Sequence, residues 1–182
     1  MTPPRRLASE PIGNNGTDIL SARVSLQPFS SDDANEIFDA LQDRNLTRWL
    51  VALPVPVDPA SFENYLQFLQ DPEVHTRILR VGRSFAGLVS LGSELSFWIK
   101  ADFHGKGLGT QAVGEFLALL PTSVSTVTAC CMLENKAATG LLTKLGFSQV
   151  GSSIKRFSFA QGHAVPLIRF ELSLFPTTTQ AF

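Results

Sequence analysis

A chain of 182 residues with 44% hydrophobic content has the size for one packed domain and is short for two. Its 15 basic and 16 acidic residues leave a formal charge of −1 with no basic stripe, which argues against nucleic acid as a partner. No apolar run is long enough to span a bilayer and no apolar block follows Arg5 and Arg6, so a cytoplasmic protein with no membrane partner is expected.

Residues 1–16, rich in Pro, Asn and Gly, read as a flexible N-terminal segment. Alternation from Ala22 to Leu26 predicts a strand, and Ser31 suits the N-cap of a helix over 32–42 whose Ala34, Ile37, Phe38 and Leu41 share a face. A short helix over 46–50 precedes a proline-stiffened loop, 53–59, and then an amphipathic helix over 61–70 that carries Tyr65. Residues 74–81 and 84–91 read as a hairpin turned at Gly82-Arg83, with 94–100 as the next strand.

A helix over 109–120 stops at Pro121, a strand follows at 124–131, and a helix over 136–145 closes on Gly146. Two closing strands, 147–159 and 164–174, complete a mixed sheet with helices on both faces. Cys130 and Cys131 are neighbours on a strand, so they project to opposite faces and fit a reducing compartment better than a strained mutual disulfide. The Cys, His and carboxylate spacings suit no metal site.

Chemistry concentrates in His104-Gly105-Lys106-Gly107-Leu108-Gly109-Thr110, between the strand Phe97-Trp98-Ile99 and a helix. Glycines in a strand-to-helix turn let the backbone approach an anion, and the helix start offers unpaired N–H groups. The turn reads as a phosphate cradle. Downstream, Asn135 opens the helix that ends in Leu145-Gly146-Phe147.

Together the two segments resemble the GNAT N-acetyltransferases, in which a Gln/Arg-x-x-Gly-x-Gly/Ala loop binds the pyrophosphate of acetyl-CoA and an asparagine-led helix flanks the thioester. Ala22 to Phe29 with Asp32-Asp33-Ala34, and Glu94 to Ile99, are similar to the Rim-type branch that modifies ribosomal-protein N-termini. The resemblance implies a mixed α/β (α+β) fold with a mostly antiparallel seven-stranded sheet, splayed at its fourth and fifth strands, over a single domain at 17–176 and a tail at 177–182. It implies acetyl-CoA as co-substrate, seated on Phe97, Trp98, Ile99, His104, Gly105, Lys106, Gly107, Leu108, Gly109, Thr110, Asn135 and Lys144.

Within that resemblance a main-chain N–H of Trp98 or its neighbour polarises the acetyl carbonyl, Asn135 bonds the pantetheine or departing sulfur, and Glu94 relays a proton through water. Glu94 lies about 16 Å along the strand from Ile99. Each has a plainer reading: Asn135 as a helix cap, Glu94 as a solvated strand-end acid, His104 as a loop histidine. The chain departs from the family at Ala138, Leu141 and Leu142, where relatives place a serine or tyrosine, and Tyr65, the sole tyrosine, is expected to pack in the core.

An α-amine of pKa 7.7–8.0 is roughly a fifth to a third neutral near pH 7.4, against about a thousandth for lysine. A site that works by positioning therefore suits a peptide N-terminus. The alternatives are a small amine or antibiotic, for which converging carboxylates such as Asp39, Asp43 and Asp58 are the signature to seek, and a silent acyl-CoA-binding domain. Core packing is the first reading of Phe157, Phe159, Phe170 and Phe175, with a homodimer face as the alternative.

Overall fold

The structure, a computed structural model, describes residues 23–175. The expected N-terminal segment, the first residues of the expected domain and the tail at 177–182 lie outside the described residues.

Strand β1 (Val24–Pro28) leads through one 3-10 turn into helix α1 (Ala34–Leu41). The cap is Ser30, not Ser31: its hydroxyl accepts the Asp32 N–H at 3.3 Å while the Asp33 carboxylate accepts the Ser30 N–H at 2.8 Å. The reciprocal box needs an acid three residues on, which Ser30 has in Asp33. Asp43 caps α2 (Arg44–Thr47), and Asp58, followed by Pro59, caps α3 (Pro59–Gln70).

Strands β2 (His75–Val81), β3 (Ser84–Leu91) and β4 (Leu95–Ile99) form the meander read from the sequence. Helix α4 (Leu108–Ala118), β5 (Thr126–Met132) and α5 (Lys136–Lys144) follow, then β6 (Ser148–Gln149), β7 (Ile154–Ser158) and β8 (His163–Ser173). The sheet runs β1-β2-β3-β4-β5-β8-β6, with β7 also on β8. Among the described residues it has eight strands where seven were expected, because the strand read over 147–159 is broken: Gly151 turns at φ 67°, and the two halves pair with β8 separately.

Every pairing is antiparallel except β4 with β5, which run parallel and meet at a single pair, Leu95 with Ala129. Past that pair β4 stays with β3 and β5 stays with β8, so the sheet opens. One core face packs α4 and α5 through Leu108, Ala112, Val113, Phe116 and Leu142. The other packs α1 to α3 over Ile78, Phe85, Leu88 and Trp98.

Candidate active site

Ladder parity decides which backbone groups face the opening. The Lys100 N–H donates to Ala86 at 2.8 Å, and the register pairs Trp98 with Leu88. Antiparallel bonding alternates, so the amides of Lys100 and Trp98 turn toward β3 while those of Phe97 and Ile99 turn toward the gap. Two contacts agree: Leu95, of the same parity, makes the bridge to β5, and the Ile99 carbonyl lies 2.7 Å from His104 Nε2. Hence the gap receives its amides from Trp98's two neighbours.

At the far end of β4 the turn 104–107 enters α4. Gly105 and Gly107 hold φ of 73° and 74°, and a Cβ built on either would meet nothing within 4 Å. Gly107 caps α4 without a side chain, and the first helical bond is Gln111 N–H to Gly107 at 3.1 Å. The amides from Gly105 to Thr110 accordingly have no partner among the described residues. They form a concave run of donors at the positive end of a helix. Lys106 contributes its amide, while its ammonium is drawn back to donate to the Asp102 carbonyl at 2.7 Å.

Gap and turn share one cavity of about 960 Å³, which Phe97, Trp98, Ile99, His104, Asn135 and Lys144 also line. Asn135 acts as the cap its plain reading gave: Oδ1 accepts the Ala138 N–H at 3.1 Å. Its amide NH₂ has no bond among the described residues.

Glu94 is not the free carboxylate of a water relay. Arg156, on β7, grips it with two bonds of 2.8 and 3.0 Å, and Cys130 donates to it at 3.2 Å. The Arg156 bonds, aided by that of Cys130, hold its carboxyl below the usual range against the opposing effect of burial. Burial, and then the Glu94 carboxylate, push the Cys130 thiol up to about 11. Burial also raises Cys131, whose Sγ sits 3.5 Å from the Thr139 hydroxyl. Both cysteines are free thiols.

Tyr65 does pack in the core cluster of α1 to α3, but it also lines the cavity, and its hydroxyl accepts the Trp98 indole N–H at 3.1 Å. Burial lifts the phenol to about 12. It remains a neutral donor with its proton uncommitted by any bond among the described residues. Arg156 and the Tyr65–Trp98 bond were missed in the sequence; the only signal was Tyr65's uniqueness. Asp39, Asp43 and Asp58 do not line the cavity, since Asp43 and Asp58 are consumed as caps and Asp39 is exposed.

Residues 23–148 match the family model of the acetyltransferase (GNAT) domain, and the chain belongs to that family of acetyl-CoA-dependent N-acetyltransferases. No curated protein sequence matches it. Among solved structures, spermidine N-acetyltransferase from Vibrio cholerae, in complex with CoA and spermine, is similar at TM-score 0.71 and 18% identity, over 83% of this chain and 95% of that one. RimJ from Mycobacterium smegmatis, in complex with CoA-disulfide, gives 0.70 at 16% identity over 85% and 84%. RimL, a ribosomal alpha-N-protein acetyltransferase in complex with coenzyme A, gives 0.70 at 13% over 85% and 96%. At such identities the likeness is one of fold. Among the described residues no helix is long and apolar enough to cross a membrane.

Proposed function

We propose that this chain transfers the acetyl group of acetyl-CoA to the α-amine of a protein or peptide N-terminus in the cytoplasm. The observation that carries the reading is the union, in one cavity, of a glycine-rich run of amides without partners among the described residues and an opened strand pair. The amides from Gly105 to Thr110 hold the diphosphate, with Lys144 at the rim supplying positive charge. The edge of β4, where the Phe97 and Ile99 amides face the gap, takes the pantetheine as an added strand, and the side-chain NH₂ of Asn135 donates to it.

Acetyl-CoA supplies an activated thioester. Against it the chain's own groups bind and orient: the amide of Phe97, the gap-facing amide nearer Glu94, donates to the carbonyl oxygen as negative charge grows there. Trp98 holds the strand in place through its pairing with Leu88 and its bond to Tyr65. Glu94, kept charged by Arg156, stabilises the positive charge that develops on the attacking nitrogen. The proton shed by that nitrogen leaves through water, and the thiolate needs little help because a thiol near 8.5 is a good leaving group.

Calorimetry with coenzyme A tests the seat: micromolar binding is expected in the wild type, weakened at least about tenfold in Gly107→Val, whose side chain cannot adopt the left-handed conformation without strain. Absence of heat in the wild type would overturn the reading. Phe157, Phe159 and Phe175 stay exposed and supply a candidate dimer face, whereas Phe170 is buried.

A further inference from the structure

Among the described residues the cavity wall carries one acid, Glu94, against the cationic side chains of Lys136, Lys144 and Arg156. That acid is already gripped by the guanidinium of Arg156 through two bonds. A polyamine would bring several positive charges to a wall whose carboxylate is already paired with Arg156 and where Lys136 adds a further repelling charge. Beside the pair, Trp49 and Val51 pack with Cys130 on Met132, Val165 and Leu167, so the wall next to Glu94 is apolar.

A guanidinium has five N–H donors, and Glu94 occupies only two of them. Arg156 is also partly exposed, with 41% of its side-chain surface accessible. It can therefore keep its grip on Glu94 and still donate to a carbonyl one peptide unit from the reacting amine. Leu50 and Phe68, further along the same cavity, extend the apolar wall.

We infer that the acceptor half selects a single α-amine on a peptide whose first side chain is apolar, and excludes polyamines, with the Glu94–Arg156 pair as the selecting element. This rests on the acetyl-transfer reading above. The amine meets Glu94, the first carbonyl meets Arg156, and the first side chain lies on Trp49, Val51 and Met132. The Glu94 charge is shared with Arg156, enough for one ammonium in equilibrium with its neutral form and too little for a chain of them.

The test is thiol release from acetyl-CoA by the full chain, offered Leu-first and Asp-first tripeptide amides and spermidine. Expected is a kcat/KM for the Leu-first peptide about tenfold or more above both others, the range one apolar side chain or one charge contact spans. Arg156→Gln frees the Glu94 carboxylate and should raise spermidine relative to the Leu-first peptide by about fivefold or more. Glu94→Gln, which leaves Arg156 unpaired, should instead raise the Asp-first peptide and depress spermidine further.

Spermidine used as well as the Leu-first peptide by the wild type, or a spermidine-to-peptide ratio unmoved in both variants, overturns the inference. Calorimetry with coenzyme A separates the two levels. Heat with coenzyme A alongside spermidine turned over as well as the Leu-first peptide, or no acceptor in the panel turned over, removes the acceptor assignment alone. No heat removes the acetyl-transfer reading and the inference with it.

Discussion

Gly87 sits behind the opened strand, and replacing it with alanine tests whether the β3–β4 pairing sets the site. Its φ is 151°, and an added Cβ would lie 2.1 Å from the Trp98 carbonyl oxygen and 2.9 Å from the Ile99 Cα. Both neighbours are backbone, so no rotamer relieves the clash, and β4 must retreat by about 1 Å to restore van der Waals separation. Backbone strain of about 1–3 kcal/mol, and two weakened ladder bonds at about 1 kcal/mol each, give a loss of about 3–5 kcal/mol.

With a urea slope of about 2 kcal/mol per molar, the unfolding midpoint should fall by about 1.5–2.5 M. The same retreat displaces the Phe97 and Ile99 amides, and a 1 Å misplacement costs up to about a hundredfold in kcat/KM. Gly140→Ala is the control. It lies in α5 with nothing within 4 Å of the new Cβ, so alanine should stabilise by about 0.5–1 kcal/mol through helix propensity. Midpoints for the two variants within about 0.3 M of each other would refute the reasoning.

Because Tyr65 is the only tyrosine, its ionisation is read directly from absorbance near 295 nm in about pH 8–13. The folded phenol should titrate near 12 rather than 10.0, so the native state holds the proton more tightly and stability falls as pH rises from about 10 to 12. A midpoint near 10 in the folded protein contradicts that assignment. Cys130 should alkylate slowly at pH 8 and faster in Glu94→Gln, since removing the carboxylate lowers the thiol's pKa; peptide mapping after iodoacetamide measures it. Asn135→Ala should lose the α5 cap, lowering stability by about 1 kcal/mol in urea and raising the KM for acetyl-CoA. An unchanged KM there would leave Asn135 a cap and nothing more.

The local chemistry of the chain set much of this molecule without help from the fold. The turn 104–110 is a concave anion seat because glycines at 105 and 107 reach φ near 73° and no side chain caps the helix that follows. Periodicity likewise marked the helices at 34–41, 59–70, 108–118 and 136–144 and the meander of β2 to β4, each within a few residues of its observed bounds. These features depend on residues a few positions apart, and sequence displays such spacings openly.

Tertiary structure alone decided what faces the gap and what it can bind. Which amides point into it follows from ladder parity, and a shift of one residue in register would exchange Phe97 and Ile99 for Trp98. Glu94 read as a free acid until β7 brought Arg156 to it across 62 residues, and Tyr65 read as core until α3 laid its hydroxyl on Trp98 across 33. Such pairings join side chains whose spacing along the chain carries no period, so only the packed sheet and its helices select them.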